Sequence, residues 1–116
     1  MSITIYGIKN CDTMKKAFNW LDEHGVKYTF HDYKKLGITT DKLTEWLQQV
    51  EVNKLINNKG TTFKKLTPEQ QESISNKVHA IALMQNQPSM IKRPLVEVNH
   101  KIILGFNTAD WDDIFK

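Results

Sequence analysis

The sequence predicts an α/β fold: a four-stranded mixed sheet covered by helices, forming a single domain over residues 1–116. Three features predict it: a strand-helix-strand unit at the start, a helical middle third, and a β-hairpin followed by a helix at the end. The chain has 40% hydrophobic residues, enough for one core. Its charged fraction of 25% excludes a disordered chain.

The predicted strand-helix-strand unit is recognised by changes in the spacing of its apolar residues. Residues 3–6 alternate, are β-branched and end at Gly7, which predicts a strand. Helical spacing then predicts a helix over residues 12–24, with Cys11 at its N-terminal cap. Residues 26–33 alternate again and predict a second strand. The apolar residues with helical spacing are Met14, Ala17, Phe18 and Leu21.

Apolar periodicity and capping residues predict three helical segments in the middle third, at residues 41–50, 53–58 and 68–84. Thr39 or Thr40 caps the first, and Gly60 ends the second. Thr67 and Gln70 form a capping box at the start of the third, which is either continuous or broken.

The last third predicts a hairpin, because residues 95–98 and 101–104 are strand-like and a two-residue turn separates them. Pro94 starts this region, and Thr108 caps a final helix. The complete sheet is then parallel on one side and antiparallel on the other, with a helical insertion between its halves. That arrangement is thioredoxin-like.

Composition limits the function classes. The net charge of +3 is spread over scattered basic pairs, so nucleic acid is a weak candidate partner. One cysteine cannot form an internal disulfide, and no apolar run is long enough to cross a bilayer. The N-terminus lacks a signal pattern, so we expect a cytoplasmic location and no membrane partner.

Cys11 is the main candidate for chemistry, because it joins a strand end to a helix start. Free backbone amides and the helix dipole favour a thiolate there, and can lower a thiol pKa from its ordinary value to ~3.5–7.5. Lys9 would lower the pKa further, and Asp12 would oppose it. The polar neighbours Asn10 and Thr13 argue against the alternative, a small apolar core residue.

Arg93 and Pro94 are the second candidate, since an X-Pro bond before a strand is a common cis site. A fixed turn there could hold the Arg93 guanidinium toward the thiol; the alternative is an edge turn with a solvated arginine. The loop from Lys59 to Thr62 suits an anion or an ordinary solvated turn. No metal is expected, because the four histidines lack ligand spacing: His24, His31, His79 and His100.

Three segments, YGIKNCDT (6–13), GTTFK (60–64) and PSMIKRPL (88–95), resemble the arsenate reductase ArsC/Spx family, and its YffB subgroup most of all. The resemblance implies a thioredoxin-like, glutaredoxin-type fold with a helical insertion. It also implies a nucleophilic cysteine at Cys11 and a cis-proline arginine at Arg93 and Pro94. In the family's arsenate reductases the thiolate attacks arsenate, arginines hold the oxyanion, and glutathione resolves the adduct.

Two positions depart from that pattern. Lys59 stands where the family often has an oxyanion arginine, and Gly105-Phe106 occupies the region of another. Lysine lacks the bidentate fork and phenylalanine lacks charge, so arsenate reduction is the alternative rather than the main expectation. A second alternative is a non-enzymatic regulator like Spx, which binds RNA polymerase. Met14 replaces the second cysteine of the Spx switch, so an internal disulfide switch is excluded.

The resemblance therefore favours a glutathione-dependent monothiol reductase with Cys11 as nucleophile. We expect glutathione as co-substrate, a disulfide or oxyanion as substrate, no bound cofactor, and a monomer. The amides of Asp12 and Thr13 would stabilise the thiolate, and Arg93 with Lys59 would hold a glutathione carboxylate. The substrate-binding residues expected beside Cys11 are Lys9, Asn10, Asp12, Thr13, Lys59, Arg93 and Pro94.

Overall fold

A computed structural model describes residues 2–115, which group into two compact units. The first unit comprises residues 2–32 and 93–115, and the second comprises Tyr33–Lys92. The single domain over residues 1–116 stays a prediction. No α-helix within residues 2–115 is long and apolar enough to span a bilayer.

The first unit contains a four-stranded sheet in the order β2-β1-β3-β4. β1 runs parallel to β2 and antiparallel to β3, and β3 runs antiparallel to β4. The predicted mixed sheet is therefore confirmed. Its strands are β1 (Ile3–Gly7), β2 (Thr29–Asp32), β3 (Leu95–Val98) and β4 (Lys101–Leu104).

Eight α-helices and one short 3-10 helix occur within residues 2–115. The first unit holds the first and the last α-helix, and the other helices belong to the second unit. The α-helices are α1 (Asp12–Glu23), α2 (Tyr33–Leu36), α3 (Thr40–Leu47), α4 (Val52–Leu55), α5 (Thr61–Lys64), α6 (Pro68–Ser73), α7 (Lys77–Asn86) and α8 (Thr108–Ile114). The 3-10 helix is Pro88–Met90.

The core of the first unit lies where α1 and α8 cover one face of the sheet. Ile5 of β1, Leu21 of α1 and Trp111 of α8 are fully buried in one cluster. Trp20 packs edge-on against Trp111, with ring centroids 5.4 Å apart. Burial of these large side chains, each contributing about 1.5–3 kcal/mol, fixes α1 on the sheet and so positions its N-terminus.

β2 begins at Thr29, three residues later than predicted, and ends before Tyr33, which starts α2. The cause is the end of α1: the Val26 amide donates to the Leu21 carbonyl at 2.9 Å, and Gly25 adopts a φ of +66°. Val26 is therefore part of the helix-terminating motif instead of the sheet ladder. Tyr28 and Phe30 still face the core, as the alternation predicts.

The second unit confirms a helical middle third but corrects the end of the helix predicted over residues 53–58. Gly60, predicted to end a helix, is the N-cap residue of α5. The preceding helix ends at Leu55 because Ile56 pairs with Ile91, and the Asn57 amide donates to the Met90 carbonyl at 2.8 Å. These contacts hold the chain extended.

The other caps of this unit resolve the choices that the sequence leaves open. Thr39, not Thr40, caps α3, because its Oγ1 accepts the Lys42 amide proton. The segment over residues 68–84 is broken into α6 and α7, since Asn76 accepts two amide protons and starts a new helix. The capping box of Thr67 and Gln70 is present.

The hairpin follows the prediction, with Asn99 and His100 in the turn at φ values of 50° and 76°. The cap of α8 differs by one residue. Asn107 is the N-cap, and its Oδ1 accepts the Asp110 amide proton at 3.1 Å, whereas Thr108 is the first helical residue. Asn is the stronger capping residue of the two, which explains the shift.

Candidate active site at the start of α1

Cys11 lies at the N-cap of α1, with extended backbone angles (φ −139°, ψ 128°). Its carbonyl accepts the first helical hydrogen bond, from the Lys15 amide at 3.0 Å. The side chain is half-buried and packs against the core cluster of the first unit. Cys11 is therefore partly packed against the core and partly exposed.

Several groups determine the ionisation of this thiol. Burial would raise the pKa of Cys11, but the Met14 amide, a hydrogen bond from the Arg93 guanidinium and the Thr13 amide outweigh it. The net pKa lies below the ordinary value of 9.0. The groups that lower it all stabilise negative charge on the sulfur, so the arrangement favours a thiolate nucleophile.

The identity of these groups corrects two expectations. The amide of Met14, not that of Asp12, acts together with the Thr13 amide on the sulfur. A cap side chain faces the second and third helical amides, which here belong to Thr13 and Met14. This positional rule was the signal that the sequence analysis missed. The charges of Lys9 and Asp12 are absent from the causes of the shift, and Arg93 supplies the cation.

Arg93 reaches the sulfur from the segment that leads into β3. The Arg93-Pro94 peptide is cis, and the carbonyl of buried Pro94 accepts the Gly105 amide proton at 2.9 Å. The half-buried Arg93 donates to Cys11, so the two sequence motifs meet at one site. The substrate-binding roles of Arg93 and Pro94 stay predictions.

The other candidate residues lie around this pair or in the second unit. Lys9, Asn10, Asp12 and Thr13 flank Cys11 and are exposed. Lys59 is exposed in the second unit, where it precedes the N-cap residue of α5. In the same unit Thr62 Oγ1 and Ser89 Oγ are hydrogen-bonded at 2.9 Å.

Met14 belongs to the core cluster against which Cys11 packs. It is fully buried, and a Cβ added at Gly7 would lie 2.5 Å from its Sδ and Cε. Glycine at position 7 thus provides the space in which Met14 packs, directly before the chain turns toward Cys11.

Two of the four histidines, His24 and His31, pack against aromatic rings. His24 stacks on Trp20 at 3.8 Å between ring centroids, and its Nε2 lies 3.7 Å from Asp112 Oδ1. His31 contacts the Tyr6 ring at 4.7 Å. Within residues 2–115 no three His, Cys, Asp or Glu side chains are grouped so that they could hold a metal.

A family model described as the ArsC family matches residues 6–114. The chain belongs to the ArsC family. This ArsC-family chain is 45% identical to the solved structure of the YffB protein, with a TM-score of 0.91 and 97% of each chain covered. It is 49% identical to an arsenate reductase (ArsC) related protein from Brucella melitensis, with a TM-score of 0.79 and 100% and 96% of the two chains covered.

A more distant relative of this ArsC-family chain is the global transcriptional regulator Spx of Staphylococcus aureus. The identity is 24%, over 90% of this chain and 80% of the regulator. The resemblance to the ArsC/Spx family and its YffB subgroup is confirmed. The chain has the thioredoxin-like fold of the arsenate-reductase-like thiol oxidoreductases.

Proposed function

We propose that this protein is a glutathione-dependent thiol reductase that uses Cys11 as its single nucleophile. The observation that carries the proposal is the hydrogen bond between Arg93 and the half-buried Cys11 at the N-cap of α1. A thiolate whose charge is stabilised by a cation and by nearby backbone amides is a good nucleophile and a good leaving group. Both properties are needed to form and then resolve a mixed disulfide.

The reaction takes two exchanges. The Cys11 thiolate attacks the glutathione sulfur of a mixed disulfide, the S–S bond breaks, and the released thiolate takes a proton from solvent. Glutathione, as its thiolate, then attacks the adduct, so that oxidised glutathione leaves and the Cys11 thiolate is restored. Because Cys11 is the only cysteine, the resolving thiol must come from a second molecule.

Arg93 has two roles in this proposal. Its guanidinium stabilises the Cys11 thiolate each time it forms, and it is proposed to hold a glutathione carboxylate as well. Lys59 is proposed as a second cation for glutathione, on the family resemblance. Asn10 and the backbone beside Thr13 supply polar groups at the rim.

The test measures turnover of the mixed disulfide of glutathione and 2-mercaptoethanol, coupled to NADPH oxidation through glutathione reductase. Wild-type protein should turn over, and Cys11→Ser should lose activity to background. Arg93→Gln should lose about tenfold, whereas Lys101→Gln, which removes an exposed cation from β4, should retain full activity. Lys59→Gln in the same assay tests its assigned role. Wild-type protein without turnover would contradict the proposal.

Arsenate reduction by the same thiolate is the second candidate, favoured by family membership and by Arg93. The region of Gly105 and Phe106 counts against it, because Phe106 packs edge-on against Trp111 at 4.8 Å and supplies no charge. We expect no turnover with arsenate as sole oxidant and glutathione as reductant. Turnover that is lost in Cys11→Ser would make arsenate the substrate instead.

A regulatory role like that of Spx is the third candidate, supported by the Staphylococcus relative. It requires binding without turnover. Retention of RNA polymerase by immobilised Cys11→Ser protein, together with inactive wild-type protein in the disulfide assay, would favour it. Because Met14 stands in place of the second cysteine, the chain has no second thiol for an internal switch.

A further inference from the structure

Lys15 occupies a position in α1 that the proposed mechanism does not use. Its amide donates to the Cys11 carbonyl at 3.0 Å, so Lys15 lies one helical turn after the cysteine. Residues four apart differ by about 40° around a helix and share a face. Helical side chains also lean toward the N-terminus, which directs the exposed Lys15 chain toward the sulfur end of α1.

The neighbouring Lys16 has a different environment. It lies about 140° around the helix from Cys11, on another face. The residue four positions before Lys16 is Asp12, which lies on the same face of the helix. The residue four before Lys15 is Cys11 itself. Within residues 2–115, Lys15 takes part in no ion pair, so its charge remains available to a ligand.

Two carboxylates of the first unit lie toward the Cys11 end, Asp12 as the first residue of α1 and Asp32 opposite Gly7 of β1, and others lie at the opposite end of α1. Asp22 and Glu23 are in its last turn, about 18 Å from Cys11 along the axis. The contact between His24 and Asp112 places the acidic helix α8 at the same end. Lys15 and Arg93 therefore supply two cations at the sulfur end, where Asp12 also lies.

We propose that Lys15 is a specificity-determining residue that holds a carboxylate of the molecule reacting with Cys11. The site then selects anionic disulfides, such as those that contain glutathione, over neutral or cationic ones. The inference deepens the proposed thiol-reductase function and rests on it for the natural substrate. The charge preference itself is a property of the reactive thiol and can be measured without turnover.

The experiment compares alkylation of Cys11 by iodoacetate, an anion, and by iodoacetamide, its neutral analogue, at low ionic strength. It is run for wild-type protein, Lys15→Gln and Lys16→Gln, above the titration midpoint of each. Lys15→Gln should lower the iodoacetate rate constant about threefold and leave the iodoacetamide rate constant unchanged. Lys16→Gln should leave the ratio of the two rates as in wild type. Salt at 0.5 M should remove the difference, because it screens exposed charges.

An unchanged ratio in Lys15→Gln would overturn the inference, as would an equal fall in both variants or an equal fall with both reagents. A disulfide assay gives the second readout: Lys15→Gln should raise KM about threefold for the glutathione mixed disulfide of 2-mercaptoethanol and leave kcat unchanged. For a mixed disulfide of cysteamine and 2-mercaptoethanol, KM should not rise. If wild-type protein turns over no disulfide, the proposed function fails, while the alkylation ratio still decides the role of Lys15.

Discussion

At Cys11 two opposing physical effects meet. Packing against the core removes the sulfur from water, which disfavours charge, while the Met14 amide and the Arg93 guanidinium favour it. The favourable contributions exceed the penalty, so the pKa of Cys11 is lowered. An apolar packing contact and a reactive thiolate are therefore compatible at one residue, and partial burial also limits the reagents that reach the sulfur.

Removing the guanidinium should shift this balance. We predict that Arg93→Gln raises the midpoint pH of Cys11 alkylation by iodoacetamide toward 9.0, because both a hydrogen bond and a charge are lost. The measurement is the alkylation rate against pH. Lys101→Gln, which removes a distant cation, should leave the midpoint in place, and a shared shift would mean that net charge alone controls the thiol.

The sequence predicted the cap position of Cys11 more strongly than it predicted Arg93 as the partner of this cysteine. Cap and strand signals are local, so residues 3–24 sufficed to place the cysteine. Arg93 lies 82 positions after Cys11 in the chain, and no periodicity links such distant residues. Residue types alone left Arg93 open between the site and a solvated turn, and only the family motif favoured the site.

At the level of elements, Gly7 and Met14 join the end of β1 to the first turn of α1. We predict that Gly7→Ala lowers the free energy of unfolding by about 1–3 kcal/mol, because its Cβ would overlap the buried Met14 side chain. Denaturant unfolding of Gly7→Ala, Met14→Ala and the double variant provides the check.

The double variant should be less destabilised than the sum of the single effects, since Met14→Ala removes the atoms that overlap. Gly7 has no positive φ, so alanine costs nothing there through backbone strain. If the losses in the free energy of unfolding of the two single variants simply added up, the contact between residue 7 and Met14 would not be the reason that position 7 is glycine.

The start of α8 offers a matched pair of caps. We predict that Asn107→Ala costs about 0.5–2 kcal/mol, because its Oδ1 accepts the Asp110 amide proton, while Thr108→Ala costs much less. Urea unfolding followed by tryptophan fluorescence is suitable, since Trp111 lies in this helix. A larger loss of stability in Thr108→Ala than in Asn107→Ala would mean that Thr108 is the capping residue.

The elements that sequence patterns predicted best are those with strong local chemistry. The Asn99-His100 turn and the Thr67 capping box formed where expected. The segment after residue 50 was harder, because the pairing of Ile56 with Ile91 ends α4. A β-bridge between residues distant in sequence overrides helix propensity, and local sequence patterns do not predict it.

For the molecule as a whole, one cysteine means that every disulfide it forms is intermolecular. The ArsC family match extends over residues 6–114 and so includes both units. Thiol chemistry should consequently change the mass and charge of the protein without closing a covalent loop in it. Besides its packing against the core, Cys11 then contributes to the stability of the chain through its ionisation.

That dependence gives a prediction for the free energy of unfolding against pH. The pKa of Cys11 is lower in the folded protein than the ordinary value of 9.0, so between the two pKa values the unfolded chain binds more protons. Stability should therefore rise with pH through this window, be complete above pH 9.0, and be lost as pH falls through the folded pKa. The slope cannot exceed about 1.4 kcal/mol per pH unit, and solvent screening at the half-exposed sulfur reduces it.

Urea unfolding of wild-type protein and Cys11→Ser from pH 6 to 9.5 isolates this contribution. Tyr28 also titrates abnormally, because burial and the charge of Asp22 raise its pKa, but this contribution is common to both proteins and cancels in their difference. The difference should grow in favour of wild type as pH rises toward 9.0. A difference that is flat, or that falls with pH, would mean that the folded protein does not stabilise the thiolate, and the proposed nucleophile would lose its physical basis.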